Sequence, residues 1–390
     1  MRVLHICPYM HPSAGGPPVV VERLCSLAPS EGWEASVITT SLYCDDDGTN
    51  LQTSLRQHID AKVLPIRGPR ILKHASGAAE AIDQAVGIAD IIHLHTLWHP
   101  MNGMTRRACK RHGRKYVLMP HGMLDPYSLR QRRWQKSIFL ATLERSNLKE
   151  ARRLVFTTAE EERAARETLP WLPPGAVIPL AADCPSHISR EALAEKFRNL
   201  FPQAVDRRCL LFLGRIHKKK GLERILAALP EIARRYPQVL LLVAGQGERA
   251  YVQHVEDLVR ASQLCDHVLF TGGLAGEEKY GAFASAEAFI LPSSQENFAI
   301  SVAEAMHMAV PVIVSDKVSS WPFVVEAGAG FVVDEGDMEL DLVQRVDDLL
   351  KAPDRAREVG ERGRSFARVH FTWPRVVRDT TSLYRQLLSE

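Results

Sequence analysis

Two carboxylates, Glu296 and Glu304, lie eight residues apart on either side of a predicted turn between a strand and a helix. The apolar run 288–292 ends in Pro292, which cannot continue a central strand, and Ile300 to Met308 repeats apolar residues with the helical period. Glu296 is therefore predicted in the loop and Glu304 in the second turn of the helix. The N–H groups at a helix start favour phosphate, and a carboxylate further along can accept hydrogen bonds from a diol such as ribose. The segment predicts a site for a sugar attached to a phosphate, with two solvated glutamates as the alternative for the bare pair.

A basic loop bounded by glycines follows the apolar run 209–213. It begins at Gly214, contains Arg215 and Lys220, and leads into an amphipathic segment. Arginine offers a planar fork of donors that matches phosphate oxygens, and lysine offers a compact charge, so the pair could neutralise a diphosphate without a metal. A solvated basic loop is the alternative, but the carboxyl end of a strand is where open α/β sheets bind ligands.

A second glycine loop lies near the amino terminus. Gly15 and Gly16 separate a predicted strand, Val3 to Cys7, from a predicted helix, Val19 to Leu27. Paired glycines let a backbone approach a substrate closely, and an ordinary flexible turn explains them equally well.

Histidines recur at the predicted strand ends of the first half. A strand places His93 and His95 on one face, and with His99 they could suggest a metal cluster, but no thiol or carboxylate stands among them. We instead expect His95 and Trp98 to line a substrate crevice. His121 ends another strand and is predicted to face the donor site across that crevice, with a structural histidine as the alternative.

The segment 245–250 matches the dinucleotide fingerprint G-x-G-x-x-A, which would suggest a nucleotide-dependent oxidoreductase. That fingerprint expects an acidic residue at the end of the next strand to hold a ribose. Here the run 267–271 leads into Gly272 and Gly273 instead. The oxidoreductase is therefore the rival enzyme class, and a non-catalytic sugar-binding module is the rival outside the enzymes.

Strand-like and helical runs alternate in both halves, which predicts an α/β protein with two Rossmann-like, doubly wound parallel sheets facing a central cleft. The Pro- and Ala-rich segment from Pro173 to Pro185 is the predicted junction. The predicted strands are 3–7, 35–40, 62–66, 91–95, 116–119 and 154–157, then 209–213, 239–244, 267–271, 288–291 and 311–315.

Composition narrows the class of protein. The 390 residues suffice for two domains, and 46% hydrophobic with 24% charged residues is ordinary for a globular protein. A formal charge of +3, without a basic stripe interleaved with aromatics, does not favour nucleic acid. Seven scattered cysteines suit a reducing compartment, and no signal-like or membrane-spanning apolar run is present, so the predicted location is the cytoplasm.

Together these motifs resemble the retaining glycosyltransferases of family 4, which have the two-domain GT-B fold. The resemblance covers nearly the whole chain, through the Gly15-Gly16 loop, the stretch 121–126, the loop 214–221, the Glu296 and Glu304 pair, and the terminal segment 371–373 before a last helix. It implies domains at 1–180 and 181–372, with the helix 373–390 crossing back to the first domain.

The resemblance also implies roles for single residues. Arg215 and Lys220 would bind the donor diphosphate, Glu304 the ribose, and Glu296 the donor sugar, while His121 would contact the sugar near the reacting carbon. Further donor contacts are implied for Gly15, Gly16, Gly214 and Gly245, and for the amides of Asn297, Phe298, Ala299 and Ile300. Relatives usually have glycine where this chain has Ala299, whose side chain disfavours positive φ and narrows the pocket.

The implied reaction moves a sugar from a nucleotide sugar of the UDP or GDP type to a hydroxyl of a glycan or lipid-linked glycan, with retained configuration and without a metal or other cofactor. The expected process is surface polysaccharide synthesis. The residues Arg130, Arg132, Arg133 and Lys136 interleave with the apolar residues Trp134, Ile138, Phe139 and Leu140. This segment predicts contact with an anionic membrane on the inner face, with a solvated helix face as the alternative.

Overall fold

The computed structural model describes residues 1–68, 73–131, 133–185, 187–334 and 336–390. Two compact units can be distinguished. The first comprises Met1–Leu180 together with Trp373–Glu390, and the second comprises Ala181–Thr372. Each unit is built around its own parallel sheet.

In its described residues the first unit has a seven-stranded sheet in the order β3-β2-β1-β4-β5-β6-β7. The strands are β1 (Arg2–Tyr9), β2 (Glu34–Thr40), β3 (Asp60–Leu64), β4 (Ile91–His95), β5 (Lys115–Met119), β6 (Arg153–Phe156) and β7 (Gly175–Val177). The helices are α1 (Gly16–Leu27), α2 (Thr49–Leu55), α3 (Ala78–Ile88), α4 (Pro100–His112), α5 (Pro126–Arg130), α6 (Arg133–Phe139), α7 (Arg145–Lys149) and α8 (Ala159–Thr168).

In its described residues the second unit has a six-stranded sheet in the order β10-β9-β8-β11-β12-β13. The strands are β8 (Arg208–Leu213), β9 (Val239–Ala244), β10 (Val268–Gly272), β11 (Ala286–Leu291), β12 (Val312–Ser315) and β13 (Gly330–Val333). The helices are α9 (Arg190–Leu200), α10 (Leu222–Arg235), α11 (Arg249–Ala261), α12 (Gly276–Ser285), α13 (Ile300–His307), α14 (Trp321–Glu326), α15 (Met338–Leu350) and α16 (Pro353–His370).

The central strands are buried on both faces, as expected of a parallel sheet covered by helices. All six residues of β9 are buried and apolar, and all five of β4 are buried although two of them are histidines. In both sheets the strand order reverses beside the first strand, between β1 and β4 and between β8 and β11. A crevice opens outside the carboxyl ends of the strands at such a reversal, and it is the usual ligand site of this architecture.

The last helix, α17 (Trp373–Ser389), packs on the first unit. Trp33 donates its indole N–H to the hydroxyl of Thr381 at 2.9 Å, and Lys115 donates to the carbonyl of Leu387 at 2.8 Å. Tyr384 is fully buried against the sheet. These contacts hold the end of the chain on the first unit.

The predicted α/β class with two parallel sheets is confirmed, and each predicted strand is present with its ends shifted by three residues or fewer. Two strands were missed. β7 is three residues long and lies inside the segment predicted as a junction, and β13 contains only four residues. Both are at the edge of a sheet, where short strands leave little pattern in the sequence.

Candidate functional site

In the second unit the basic loop and the start of α10 are joined to the loop after β11. Ser294 donates its amide N–H to the carbonyl of Lys219 at 2.8 Å, and the side chain of Arg224 in α10 donates from Nη1 to the carbonyl of Pro292 at 3.1 Å. Gly221 has φ +74°, and a Cβ there would lie 2.1 Å from the Pro292 oxygen. Only glycine fits this position, so the two loops are held as one surface at the strand reversal.

In this surface a residue predicted to bind the diphosphate, Lys220, contacts one predicted to bind the sugar, Glu296. Lys220 and Glu296 form an ion pair between Nζ and Oε2, with side chains 13% and 15% exposed. Arg215 is exposed in the same loop. Burial lowers the pKa of His217, and the charges of Lys219 and Arg215 lower it further. The loop therefore carries a positive potential that suits an anionic ligand.

Glu304 lies in the second turn of α13, as predicted, and is almost fully buried. Burial raises the pKa of its carboxyl, and the neighbouring Lys279 opposes that rise. The Nζ of Lys279 lies 2.6 Å from Oε1 of Glu304. Sequence reasoning missed Lys279, which belongs to the first turn of α12 and gives no motif of its own.

The start of α13 has the strain that the sequence suggested. Ala299 caps the helix with φ 54° and ψ 78°, a left-handed conformation that costs a residue with a side chain about 1–2 kcal/mol. Phe298 is buried, and its ring meets that of Phe371 edge to face at 5.3 Å. The side chain of Phe298 thus anchors the loop, which leaves its backbone to contact a ligand. Asn297 and Ile300 stand half-buried on either side.

Gly245 and Gly247 have a packing role. A Cβ on Gly245 would lie 1.9 Å from the Gly214 oxygen, and one on Gly247 would lie 2.1 Å from the Ile216 oxygen. The dinucleotide-like spacing thus lets this turn pack against the basic loop. Glu248 stands at the start of α11, where a carboxylate would repel the phosphate that the fingerprint requires. The oxidoreductase interpretation loses its structural basis.

In the first unit, three histidines follow one another from the middle of β1 towards the carboxyl edge of the sheet. Nδ1 of His5 lies 3.0 Å from Nε2 of His95, and Nδ1 of His95 lies 3.1 Å from Nε2 of His121. Burial lowers the pKa of His5 and of His121 to about 3, so both are neutral near pH 7. His121 keeps part of its surface exposed and has φ 52°.

His95 is completely buried between its neighbours. Its side chain therefore reaches the open edge only through His121, which does not support the prediction that His95 itself lines an acceptor site. His93 and His95 share one face of β4, as the strand period predicts, and the Tyr384 hydroxyl lies 2.6 Å from Nδ1 of His93.

His5, His93 and His95 bring one ring nitrogen each within 4.8 Å of one another. Their rings are nearly parallel, with interplanar angles of 24° to 35°. Nδ1 of His5 and Nε2 of His95 are already joined by a hydrogen bond at 3.0 Å, so these two nitrogens do not both offer a free lone pair to an ion. The arrangement fits stacking and hydrogen bonding better than a tetrahedral metal site.

Two buried glutamates that sequence reasoning missed support this edge. Glu161 accepts the Gly122 N–H at 2.8 Å and the Thr157 N–H at 2.7 Å, and Glu144 accepts the Trp98 N–H at 2.8 Å. Burial raises the pKa of both carboxyls. The signal for Glu161 was a capping box, since Thr158 caps α8 three residues before it.

Trp98 has φ 64° and stands half-buried after β4. The Lys136 Nζ lies 5.8 Å from the centre of its ring, and Phe139 meets it edge to face at 6.1 Å. A π-helical turn over Leu140–Glu144 brings Glu144 inward beneath it. Trp98 thus joins the carboxyl edge to the basic segment around α6.

The glycine loop after β1 offers room to a ligand but few N–H donors. Gly15 caps α1 with φ 91°, and a Cβ on Gly16 would meet no atom within 4 Å, so a ligand has room to approach. Pro17 and Pro18 then occupy the first turn. Proline has no N–H, so this helix start presents two fewer donors to a phosphate.

The surface around α6 exposes both apolar and basic side chains. Trp134 is 84% exposed, Ile138 62% and Leu143 42%. Beside them a cavity of about 460 Å³ is lined by the cations of Arg130, Arg133 and Lys136 and by the residues Pro126, Leu129, Ser137, Leu140, Thr168 and Leu169. Arg132, which was predicted to belong to this surface, lies outside the described residues. Among the described helices, none combines the length and the apolar character that crossing a bilayer demands.

Two family models match the chain. "Glycosyl transferase 4-like domain" matches residues 15–181, and "Glycosyl transferases group 1" matches residues 194–366.

Curated relatives include a GDP-mannose-dependent alpha-(1-6)-phosphatidylinositol monomannoside mannosyltransferase of Mycolicibacterium smegmatis, 30% identical over 43% of this chain and 45% of that protein. That alignment spans only about half the length of the relative. A GDP-mannose:cellobiosyl-diphosphopolyprenol alpha-mannosyltransferase of Xanthomonas oryzae is 25% identical over 87% of this chain and 85% of its own.

Solved structures show the same fold. Sucrose-phosphate synthase of Thermosynechococcus elongatus superposes with a TM-score of 0.78 at 21% identity, over 100% of this chain and 99% of that chain. HepE of Anabaena in complex with UDP superposes with a TM-score of 0.77 at 18% identity, over 100% of both chains.

Proposed function

Since the chain belongs to the glycosyltransferases with two Rossmann-like domains of the GT-B type, we propose that it moves a sugar from a nucleotide sugar to a hydroxyl of a glycan or lipid-linked glycan. We propose further that the anomeric configuration is retained and that the product belongs to a surface polysaccharide. The observation that carries the proposal is the basic loop paired with Glu296 at the strand reversal of the second unit, eight residues before the buried Glu304 in the second turn of α13.

The chemistry follows from these charges. Negative charge grows on the diphosphate as the glycosidic bond breaks, so Arg215 and Lys220 stabilise the transition state more than the bound substrate. Glu296, released from Lys220 when phosphate takes its place, hydrogen-bonds the sugar. Glu304 accepts hydrogen bonds from the ribose hydroxyls. Two protein cations supply the positive charge, so we expect transfer to persist in the presence of a chelator.

The donor is proposed to be a UDP or GDP sugar. Relatives named for GDP-mannose and a structural neighbour that contains UDP favour these two bases. Calorimetric titration with UDP, GDP, ADP and a nicotinamide dinucleotide tests the choice. Binding of the nicotinamide alone would reject the proposal.

Transfer itself is tested with a radiolabelled nucleotide sugar. We expect Arg215→Ala and Lys220→Ala each to lower turnover by orders of magnitude in a folded protein, because each removes a charge that acts on the leaving group. A protein that binds the nucleotide sugar but neither hydrolyses nor transfers it would be a sugar-binding module instead. Near-normal turnover in both variants would reject the roles of these residues.

We also propose a cytoplasmic enzyme that lies peripherally on an anionic membrane through the surface around α6. Its exposed Trp134, Ile138 and Leu143 can enter the interface, while neighbouring cations attract anionic headgroups. Two mannosyltransferase relatives are named for lipid-linked acceptors, which agrees with this placement.

Liposome flotation tests the membrane contact. At low salt the protein should float with vesicles of phosphatidylglycerol and not with vesicles of phosphatidylcholine. Trp134→Ser should weaken binding, whereas Leu340→Ser, which removes a side chain 61% exposed in the second unit, should not. Equal flotation of wild type with both kinds of vesicle would contradict an electrostatic contact.

A further inference from the structure

Hydrogen bonds join the rings of His5, His95 and His121 in a row, and these bonds determine which ring nitrogens carry the protons. Each contact joins two ring nitrogens at hydrogen-bond distance, 3.0 Å and 3.1 Å. A neutral imidazole has one N–H and one bare nitrogen, so in each contact one ring donates and the other accepts. The middle ring uses both of its nitrogens, which means that both hydrogen bonds run in the same direction along the row.

The first ring decides which direction that is. Nε2 of His5 is buried and has no hydrogen-bond partner among the described residues. If the row ran from His121 towards His5, this nitrogen would be an N–H without an acceptor. If it runs from His5 towards His121, the same nitrogen is bare. An unpaired buried N–H is rarer and costlier than an unpaired acceptor, so the second direction is favoured.

We infer that His5 and His95 are positioning residues that hold His121 in its Nδ1–H tautomer, so that His121 presents a hydrogen-bond donor to an oxygen of the sugar substrate. Nδ1–H of His5 donates to His95, and Nδ1–H of His95 donates to Nε2 of His121. The proton of His121 then lies on Nδ1, the ring nitrogen that does not face His95. His121 orients a substrate oxygen in this role and does not remove a proton from it. The role of His121 towards the sugar rests on the proposed sugar transfer, whereas its tautomer does not.

The surroundings keep the rings in place. His93 stacks on His95 with ring centres 4.1 Å apart, and Trp33 stacks on His5 at 6.1 Å. Glu161 accepts the N–H of Gly122 at 2.8 Å and so fixes the turn that carries His121. A ring that flipped would break its hydrogen bond without room to form another, because proteins pack their interiors closely.

The tautomers can be observed directly. Long-range 1H–15N correlation spectra of the protein labelled with 15N-histidine distinguish protonated from bare ring nitrogens, and single His-to-Gln variants assign the signals. We expect Nδ1 to be protonated and Nε2 bare in His5, His95 and His121 at pH 7. Protonation of His121 at Nε2 would overturn the inference. The spectra do not depend on any transfer activity. The tautomer can therefore be refuted or supported separately from the proposed function.

Two substitutions at His5 test the consequence. The side-chain amide of His5→Asn can place an N–H near the position of Nδ1, whereas His5→Leu fills space without a donor. We expect the leucine variant to lose about tenfold in kcat for sugar transfer, roughly the loss of one hydrogen bond, and the asparagine variant to keep most of it. The Kd for the nucleotide should stay unchanged in both.

A purely structural role of His5 predicts the opposite order, because leucine suits a buried site better than asparagine. Equal or higher kcat in the leucine variant would therefore overturn the positioning role. Thermal denaturation of both variants shows that the comparison is made on folded protein.

Discussion

Replacing Glu296 with glutamine should have opposite effects on nucleotide binding and on sugar transfer. In the ligand-free protein the carboxylate of Glu296 is the ion-pair partner of Lys220. A diphosphate that binds Lys220 must displace the Glu296 carboxylate from it. Glutamine has nearly the same shape but no charge, so Lys220 is available without competition. The same change removes the charged acceptor proposed to hold the donor sugar, so transfer should fall.

The expected size follows from the burial of the pair. Exposed ion pairs contribute about 0–1 kcal/mol, and removal of one partner from a buried pair costs about 3–5 kcal/mol. With side chains 13% and 15% exposed, Lys220 and Glu296 lie between these cases, and we take about 1–2 kcal/mol. Binding of UDP or GDP should tighten by about 5- to 30-fold.

Isothermal titration calorimetry at fixed ionic strength measures this change. Glu248→Gln is the matched control, because Glu248 also acts on the basic loop through its effect on the pKa of His217. The loss of a negative charge near the loop should by itself change the Kd for UDP or GDP by less than about twofold. If Glu296→Gln binds the nucleoside diphosphate no more tightly than the wild type, Lys220 does not exchange Glu296 for phosphate and the proposed role of the pair is wrong.

Three further changes test other parts of the structure. Ala299→Gly relieves a left-handed alanine, so in urea unfolding it should cost about 1–2 kcal/mol less than Ala303→Gly, a buried alanine in the same helix; equal costs would contradict the strain. Gly245→Ala should destabilise the protein by about 2 kcal/mol or more, because its Cβ would lie 1.9 Å from the Gly214 oxygen, whereas Gly336→Ala meets no atom within 4 Å and should be neutral. The folded pKa of His5, about 3, is below its ordinary 6.5, so the unfolded chain binds the extra proton and stability should fall as the pH drops through 6.5. His5→Phe should reduce this slope by about 1.4 kcal/mol per pH unit between pH 6 and 4, and an unchanged slope would show that His5 is not buried neutral.

Much of the fold could be predicted because the conformation and burial of a segment depend mainly on its own residues. The buried run Val239–Ala244 and the helix Ile300–His307 were predicted at or within one residue of their observed ends. Apolar runs, helical period and turn residues report whether a segment is buried and in which conformation. The positions of Glu296 in a loop and of Glu304 in a helix follow from the same local rules.

Other features of the site depend on segments that are far apart in the sequence. His5 and His95 are 90 residues apart and meet because β1 and β4 are neighbours, and Lys279 reaches Glu304 across 25 residues. Glu144 and Glu161 look like ordinary helix residues, yet each is buried beneath a loop whose N–H groups it accepts. Gly245 matches a nucleotide motif but is required by the oxygen of a neighbouring loop.

The sequence by itself thus determined eleven of the thirteen strands in the described residues and the residues that end them, and it predicted two sets of residues for a phosphate and a sugar. Only the tertiary structure decided the partners: the pairing of Lys220 with Glu296, the row formed by His5, His95 and His121, and the packing role of the second glycine motif. The reason is physical. Burial and backbone conformation are set by a few neighbouring residues, whereas a contact between side chains depends on strand order and on the packing of both sheets.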